Sequence, residues 1–510
     1  MKRLCPKRIL LLAPLFLALV THHCLAGVQQ AWVNRYSLLS DKTNQATAVA
    51  LSADGNLVVG GSSASTNGDL DYLIIKYAPN GNQIWQARYD SPTNGNDFLR
   101  GMTVDKSGNA ALTGTSKTAK FDTNGDLLWS APYGGRAVAA GTNGNVYVTG
   151  FSEIDFATAK LNGATGSNVW TRTYDGIGKT NVSQLICVDG AENVFVSGFE
   201  HWACDQLQCY TAIHTFKYDL NGTQMWHTNQ SSPLAFGAAS ASAIVADQFG
   251  NVYVSGNRYL DPPTYAAVKY NSQGQELWRW WMDRDGEDDY SFADCRGIAT
   301  DEQGNAYLTG SRVTGSFCCA DNAFCSAKLT NGHKAWLIEY HPTAGENKGT
   351  AIALDPAGNI YVTGYSPSTN SGKDIVTIKY DNNGNQLWLQ HYDGPAHGDD
   401  IATGIIVDNE TNIYVTGYSA TTNGGTEFVT IKYSQKPALN IEKQPDGSMR
   451  LKIFADSGQL WGFQTTTSFL QDWQTIGTNT TDTNGVAQFD DTNTPPFPPR
   501  FYRGVSPPLP

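Results

Sequence analysis

A loop near the middle of the chain places aromatic and acidic side chains close enough in sequence to bind one ligand together. Trp280 and Trp281 stand just before an acidic run, and Tyr290 follows that run. Aromatic rings stack on flat apolar surfaces or fill pockets of a partner, while neighbouring carboxylates accept hydrogen bonds from hydroxyl groups. We therefore predict a carbohydrate or protein partner, held by Trp202, Trp280, Trp281, Asp283, Asp285, Glu287 and Tyr290.

The same acidic run offers a metal-binding alternative. Asp283, Asp285 and Glu287 supply the hard carboxylate oxygens that Ca²⁺ prefers, although no glutamate closes an EF-hand loop. A second acidic cluster, the sequence DTNGD from Asp122, coincides with a turn that recurs throughout the chain. Ca²⁺ is therefore the cofactor that the sequence favours. The structural alternative is that these loops pack on one another and bind nothing.

Cysteines in the same region are candidates for disulfide bonds. One pair is close enough in sequence to close a single loop, and a second group allows a longer cross-link. No pair has the C-x-x-C spacing that is typical of zinc sites. These candidates are Cys204 with Cys209, and Cys295 with one of Cys318, Cys319 and Cys325.

The histidines do not form a catalytic motif. The chain has neither an H-E-x-x-H metal motif nor a G-x-S-x-G nucleophile motif. We therefore assign no catalytic residue and predict a non-enzymatic binding protein. The alternative is an enzyme, such as a polysaccharide hydrolase or lyase, that uses the same loops.

Composition limits both the fold and the partners. Of the 510 residues, 16% are charged, 11% are aromatic and 51 are glycine, which disfavours disorder, coiled coils and helical solenoids. The net charge of -12, with no basic run beyond the N-terminus, argues against a nucleic-acid partner. We expect a turn-rich, all-β protein that is a monomer.

The N-terminus has the features of a secretory signal peptide. Basic residues precede an apolar stretch from Ile9 to Val20, and small residues follow at the usual cleavage positions before Gly27. The apolar stretch is shorter than the roughly 20 residues that a membrane span needs. We expect residues 1–26 to be removed and the mature protein to be secreted, periplasmic or on the cell surface, where disulfides are stable.

Internal repetition predicts how the candidate residues are positioned. A motif built around G-N-x-Y-V-T-G recurs eight times, and a second motif, K-Y-x-x-N-G-x-x-x-W, alternates with it. We expect each Trp of the second motif to pack between neighbouring repeats, and each Lys to contact the next repeat rather than to catalyse. The eight tryptophans are Trp32, Trp85, Trp129, Trp170, Trp226, Trp278, Trp336 and Trp388.

Each repeat predicts four strands. From Ala46 to Tyr89, four segments rich in apolar residues are separated by the turns ADGN and PNG and by one polar loop. Four-stranded units of this length are typical of a β-propeller, and eight copies predict eight blades. The first tryptophan of the second motif, Trp32, has no motif lysine before it. The last lysine of that motif, Lys432, has no motif tryptophan after it. This offset predicts that the N-terminal strand completes the last blade and closes the ring.

The repeat units resemble a known family. The segments LSADGNLVVGGSS and DYLIIKYAPNGNQIWQARYD, and their later copies, are similar to the bacterial SBBP β-propeller repeat. The resemblance spans Trp32 to Tyr433 and implies a propeller in an exported or surface protein, without naming an activity. Eight blades, a Gly four residues before seven of the eight repeated tryptophans, and the adjacent Cys318 and Cys319 also resemble quinoprotein dehydrogenases. Such a dehydrogenase is therefore one form of the enzyme alternative.

The C-terminal region follows a different pattern. The repeats end near residue 435, and short apolar strands alternate with polar turns from there to the end of the chain. This region is similar to a short C-terminal module of some exported bacterial proteins. We therefore predict a signal peptide at residues 1–26, a β-propeller at 27–435 and a small β-sandwich-like module at 436–510.

Overall fold

The fold is all-β in the computed structural model. None of the described residues forms a helix that is long and apolar enough to cross a membrane. Contacts divide the chain into a large unit, Val28–Gln435, and a second unit that contains Lys436–Pro510. The structure describes residues 28–91, 95–152, 155–176, 180–204, 209–231, 238–259, 264–282, 293–314, 321–368, 372–435, 438–444, 446, 448–454, 460–466, 473–480, 486–492 and 501–505. The predicted signal peptide lies outside these residues.

Eight four-stranded antiparallel sheets are present among the described residues of the large unit, and we number them as blades 1 to 8. Blade 1 contains β2 (Asn44–Leu51), β3 (Leu57–Ala64), β4 (Leu70–Tyr77) and β5 (Gln83–Tyr89). Blade 2 contains β6 (Leu99–Val104), β7 (Ala110–Gly114), β8 (Thr118–Phe121) and β9 (Leu127–Ala131). Blade 3 contains β10 (Ala137–Ala140), β11 (Val146–Thr149), β12 (Phe156–Leu161) and β13 (Asn168–Tyr174).

The next three blades include β15, the longest strand among the described residues. Blade 4 contains β14 (Thr180–Val188), β15 (Val194–Cys204), β16 (Cys209–Tyr218) and β17 (Gln224–Ser231). Blade 5 contains β18 (Ala238–Ala246), β19 (Val252–Tyr259), β20 (Thr264–Tyr270) and β21 (Glu276–Trp281). Blade 6 contains β22 (Ala293–Thr300), β23 (Ala306–Thr314), β24 (Asp321–Thr330) and β25 (His333–Tyr340).

The last two blades include the N-terminal strand. Blade 7 contains β26 (Lys348–Leu354), β27 (Ile360–Pro367), β28 (Lys373–Tyr380) and β29 (Gln386–Tyr392). Blade 8 contains β30 (Asp400–Val407), β31 (Ile413–Ala420), β32 (Thr426–Gln435) and, as its fourth strand, β1 (Val28–Tyr36). β1 runs antiparallel to β32, from Val28 opposite Gln435 to Tyr36 opposite Phe428. The first strand of each blade contacts that of the next, including β30 with β2, so the blades form a closed ring.

The recurring D-x-x-G-N sequence builds the turn between the first two strands in four of the eight blades. In blade 7, Asp355 Oδ1 accepts a hydrogen bond from the Asn359 amide, and its Oδ2 accepts bonds from the Asn359 and Tyr361 side chains. Gly358 between them has a φ of 79°, which glycine adopts at little cost. One aspartate thus satisfies the polar groups of a whole turn, which explains why the sequence repeats.

At five of the eight junctions between blades, a tryptophan and a lysine of one blade donate to the same backbone carbonyl of the next blade. Trp129 Nε1 and Lys120 Nζ of blade 2 both donate to the Gly163 carbonyl in the turn between β12 and β13, at 3.1 Å each. Trp170 with Lys160, and Trp226 with Lys217, repeat this arrangement at later turns. At these junctions the tryptophan and the lysine therefore contact the next blade, and the apolar core lies between the blades.

The described residues of the second unit form two three-stranded sheets. One contains β33 (Ala438–Lys443), β34 (Met449–Phe454) and β37 (Val486–Asp491), and the other contains β35 (Leu460–Thr466), β36 (Gln474–Thr480) and β38 (Phe501–Val505). Leu451, Ile453, Trp461, Phe463 and Ala487 form its core. The predicted likeness to a known C-terminal module stays a prediction.

Candidate functional site

The two faces of the ring differ in how much they vary. The turns between the first two strands and between the last two strands of the blades define one face, the turn-rich face. The connections between the second and third strands, and from one blade to the next, define the loop-rich face. On the turn-rich face, polar groups are used internally: Asp122 Oδ1, in the weaker calcium candidate, accepts the amides of Asn124 and Asp126.

A pocket of about 510 Å³ opens on the turn-rich face between blades 2 and 3. Lys120 in its wall is buried and lies 2.8 Å from the equally buried Asp105. Lys120 Nζ also donates to the carbonyls of Gly144 and Gly163. Because this lysine is already occupied by three acceptors, it holds the blades together and has no capacity left for an anion.

The loop-rich face is dominated by two hairpins. The β15–β16 pairing in blade 4 extends to Cys204 opposite Cys209, and the β23–β24 pairing in blade 6 extends to Thr314 opposite Asp321. In blade 5 between them, the corresponding pairing ends at Arg258 opposite Thr264. At about 3.4 Å per residue, the blade 4 hairpin continues roughly 10 Å beyond that of blade 5. Blade 5 is thus flanked by two longer hairpins.

The structure corrects one of the predicted ligand contacts. Trp280 on β21 is fully buried in a core cluster with Tyr265, Cys295 and Leu308. Side chains alternate along a strand, so Trp280 shares the inward side with Trp278, whereas Trp281 points the other way and is half-buried. The interpretation of Trp280 as an exposed stacking surface is therefore wrong, and Trp281 stays a candidate.

The other predicted contacts lie outside the described residues or only partly within them. Trp202 lies on β15, with its side chain outside the described part of the structure. The remaining residues of the acidic loop are not described, so the ligand-binding and calcium hypotheses for them stay predictions. These residues are Asp283, Asp285, Glu287 and Tyr290.

The disulfide prediction is wrong for Cys295 and Cys325, which are free thiols. Both face Gly310, Cys295 on β22 and Cys325 on β24, with β23 between them. Two strand spacings amount to about 9.6 Å, which exceeds the Cα separation that a disulfide spans. Cys204 and Cys209 lie opposite each other at the end of their hairpin, and their pairing stays a prediction. Cys318 and Cys319 lie outside the described residues.

Blade 4 contains a buried chain of titratable side chains that the sequence analysis missed. His214 Nε2 on β16 lies 2.8 Å from Glu200 Oε2 on β15, and both side chains are almost completely buried. His214 Nδ1 lies 2.8 Å from His227 Nε2 on β17. The ring of His227 stacks on Phe216 with centroids 4.1 Å apart and lies 5.0 Å from that of Tyr174. The chain therefore leads from a buried carboxylate to a half-buried imidazole.

The separation of 2.8 Å between His214 Nε2 and Glu200 Oε2 favours a proton on His214 Nε2 when the histidines are neutral, although the two atoms do not form a well-directed hydrogen bond. With that tautomer, His214 Nδ1 accepts the proton of His227 Nε2. His227 Nδ1 is then the nitrogen that can accept a further proton. Burial, aided by His227 and opposed by Glu200, lowers the pKa of His214 to about 4. Burial also lowers the pKa of His227.

The sequence does carry a signal for Glu200 and His214, which becomes visible when equivalent positions of the blades are compared. Gly198 opposite His214 in blade 4 corresponds to Gly364 opposite Val376 in blade 7. Glu200 then corresponds to Ser366, a small polar residue. Blade 4 therefore replaces serine and an apolar residue with a carboxylate and an imidazole.

We expect folding stability to fall as the pH drops through the range of the His214 pKa. His214 is held neutral in the fold, so between about pH 6.5 and pH 4 the unfolded chain binds a proton that the folded chain does not. The stabilising contribution is complete above pH 6.5 and is lost on acidification, by up to roughly 3 kcal/mol. Urea unfolding measured at several pH values between 4 and 7.5 checks this.

The matched control is the double variant Glu200→Ser with His214→Val, which copies the residues of blade 7. Other carboxylates also titrate in this range, so the informative quantity is the difference between the two proteins. The stability of the variant should depend less on pH between 6.5 and 4. Parallel curves for the two proteins would show that His214 is not the group responsible.

Comparisons with known proteins agree with the fold. The family model of the SBBP β-propeller repeat matches residues 346–370, which confirms the resemblance drawn from the repeat motifs. A second model, described as the outer membrane protein assembly factor BamB, matches residues 71–258. No curated protein matches the sequence significantly.

Similar solved structures are distant. The Dos1 propeller is 10% identical, covers 79% of this chain and 95% of its own, and has a TM-score of 0.49. The polysaccharide lyase Uly1 is 8% identical and covers 78% of this chain and 91% of its own, with a TM-score of 0.42. PorZ, a surface component of the type-IX secretion system of Porphyromonas gingivalis, is 12% identical. It covers 86% of this chain and 69% of its own, with a TM-score of 0.32. Such distant likenesses say nothing about activity.

Proposed function

We propose that this protein is an exported, monomeric binding protein that holds a carbohydrate or protein partner on its loop-rich face, over blade 5. The observation that supports the proposal is that the longest hairpins of the ring, β15–β16 and β23–β24, flank the shorter hairpin of blade 5. A recess between projecting walls removes a ligand from water on several sides, which a flat surface does not.

The chemistry at this position suits sugars or the edge of a protein. Trp281 ends β21 on the loop-rich face and is half-buried, so part of this aromatic side chain reaches the surface there. The acidic loop begins two residues later and includes Asp283, Asp285 and Glu287. Carboxylates beside an aromatic ring accept hydrogen bonds from sugar hydroxyls or from basic side chains of a partner protein.

The export hypothesis rests on the N-terminal sequence and on the families that match. A basic segment followed by an apolar one is typical of secretory signals, and one of the matching models is described as an outer membrane protein assembly factor. We propose that residues 1–26 are removed and that the ring acts in the periplasm, at the cell surface or outside the cell.

We expect Trp281→Ala to weaken binding at least tenfold with little loss of stability. The probe is the soluble polysaccharide that most raises the melting temperature of the purified protein. Losing one aromatic contact in a desolvated site removes more than about 1.4 kcal/mol of binding free energy, which is a tenfold change in Kd. Isothermal titration calorimetry measures the affinity, and differential scanning calorimetry measures the stability.

Phe249→Ala is the matched control because Phe249 belongs to the same blade but lies in a turn of the opposite face and is 66% exposed. This variant should bind as the wild type does. Equal losses in both variants would contradict a site on the loop-rich face. If no polysaccharide raises the melting temperature, the proposed partner must be a protein.

A second candidate function is an acid–base enzyme, such as a polysaccharide hydrolase or lyase, and the chain of Glu200, His214 and His227 favours it. A carboxylate that orients one imidazole, which orients another, is a known way to hold a general base in one tautomer. Incubating the same polysaccharides with the protein and measuring newly released reducing ends tests this. Equal activity in the Glu200→Ser, His214→Val double variant would exclude these residues. A quinoprotein would instead show a melting shift that needs both pyrroloquinoline quinone and Ca²⁺.

A further inference from the structure

Three aspartates meet where blade 7 joins blade 8 on the loop-rich face. Asp374 begins the third strand of blade 7, Asp393 follows its fourth strand, and Asp400 begins blade 8. One carboxylate oxygen from each lies within 4.8 Å of the other two. Asp400 is completely buried and Asp374 is only 8% exposed, whereas Asp393 is exposed.

Two of these buried carboxylates have an oxygen without a well-directed hydrogen bond, and the hydroxyls of Ser419 and Ser368 are the neutral polar groups beside them. Asp400 Oδ2 accepts the amide of Gly394 at 2.6 Å, but Asp400 Oδ1 and Asp374 Oδ1 have no such bond. Within the described residues, no lysine or arginine pairs with the cluster, and Asp393 pairs only with His397, at 2.7 Å. Buried negative charge of this kind is costly unless a cation or a proton compensates it.

The same cluster occurs a second time in the ring. Asp71, Asp90 and Asp97 hold the corresponding positions where blade 1 joins blade 2, again with oxygens within 4.8 Å. Asp71 Oδ1 also has no partner, and Asp71 is only 4% exposed. The two connecting segments share the sequence pattern D-x-P-x-x-G-x-D. One difference is that Arg88 lies 3.6 Å from Asp71 Oδ2.

Two other junctions show what occupies this position when the carboxylates are missing. Asn347, where blade 6 joins blade 7, holds the place of Asp400, and its Nδ2 donates to the carbonyls of Asn322, Thr343 and Gly345. Asn44 does the same where blade 8 joins blade 1, with three carbonyls at 2.8 to 3.2 Å. An ionised aspartate has no hydrogen to donate in this way, so at the aspartate junctions a bound cation or a shared proton has to take the place of that donor.

We propose that each of the two aspartate clusters binds one Ca²⁺ ion and thereby fastens one blade to the next. The ligand set consists of three carboxylates, which suits a hard cation better than zinc, which prefers nitrogen and sulfur. The site formed by Asp374, Asp393 and Asp400 should be the tighter of the two, because Arg88 already compensates part of the charge in the other site.

Calorimetric titration of the chelator-treated, full-length mature chain with CaCl₂ tests the proposal. The wild type should bind two ions at these positions, and Asp400→Asn and Asp97→Asn should each bind one fewer than the wild type. The double variant should lose both sites. These substitutions copy the asparagines that the protein already uses at positions 347 and 44, so the variants should fold. Glu302→Gln, on the turn-rich face, is the matched control and should bind as the wild type does.

Thermal unfolding separates a metal site from a pair of carboxyl groups that share a proton. With chelator, Asp400→Asn should melt at a higher temperature than the wild type, because like charges are removed; with about 10 mM Ca²⁺ the order should reverse. Absence of binding to the wild type at this concentration would overturn the proposal. So would calcium binding that is unchanged in the double variant, or a preference for Zn²⁺ over Ca²⁺. These results do not depend on any polysaccharide or protein partner.

Discussion

Removal of Gln29–Ser37 is expected to lower the melting temperature of the whole ring by at least about 6 °C. These residues form most of β1, which is the outer strand of blade 8 and pairs with β32 along its length. Trp32 Nε1 donates to the Pro79 carbonyl of blade 1 at 3.1 Å, and Val33 packs against a core cluster of blades 7 and 8. Losing a strand, a seam tryptophan and the ring closure together should cost more than about 5 kcal/mol.

Two controls test whether the loss of stability is due to the missing strand β1. Removing residues 436–510, which belong to the other unit, should leave the melting transition of the ring nearly unchanged. Adding a synthetic peptide of residues 28–37 to the shortened protein should restore part of the stability, because the missing strand can pair with β32 from outside. A shortened protein that melts within about a degree of the intact one would show that β1 does not close the ring.

The fold could be predicted because the same contacts between neighbouring blades recur around the ring. Trp129 and Lys120 share the carbonyl of Gly163, and the same pattern recurs around the ring, so the sequence repeats with it. Repetition of this kind reveals the blades, and the motif offset between Trp32 and Lys432 indicates the closing strand. Positions at which every blade needs the same contact are therefore the ones that a single sequence reveals best.

The candidate site was harder to predict because it depends on departures from the repeat. Glu200 and His214 lie in different strands and become neighbours only through the register of β15 with β16. Trp280 and Trp281 are adjacent in sequence, and only the alternation along β21 separates the buried ring from the half-buried one. The cysteines at 295 and 325 are separated by the strand between them. Register, not composition, decided each of these outcomes.

Gly166→Ala is expected to destabilise the ring by about 3 kcal/mol. Gly166 has a φ of 70°, and a Cβ atom there would lie 2.6 Å from Cδ2 and Cε3 of Trp129 in the preceding blade. The left-handed conformation costs an alanine about 1 kcal/mol, and displacement of a buried tryptophan adds roughly 2 kcal/mol. Equilibrium unfolding in urea measures the change. Gly55→Ala is the matched control, because Gly55 has a φ of 77° with no atom within 4 Å of the added carbon.

The control should lose only about 1 kcal/mol, so the difference between the two variants isolates the contact with the tryptophan. A double-mutant cycle makes this attribution stricter. In a Trp129→Leu background the ring no longer faces position 166, and Gly166→Ala should then cost about as little as Gly55→Ala does. If the cost of Gly166→Ala stays near 3 kcal/mol in that background, the tryptophan is not what requires glycine at this turn. The recurring glycine would then reflect backbone conformation alone, and the seam would tolerate a side chain at that turn.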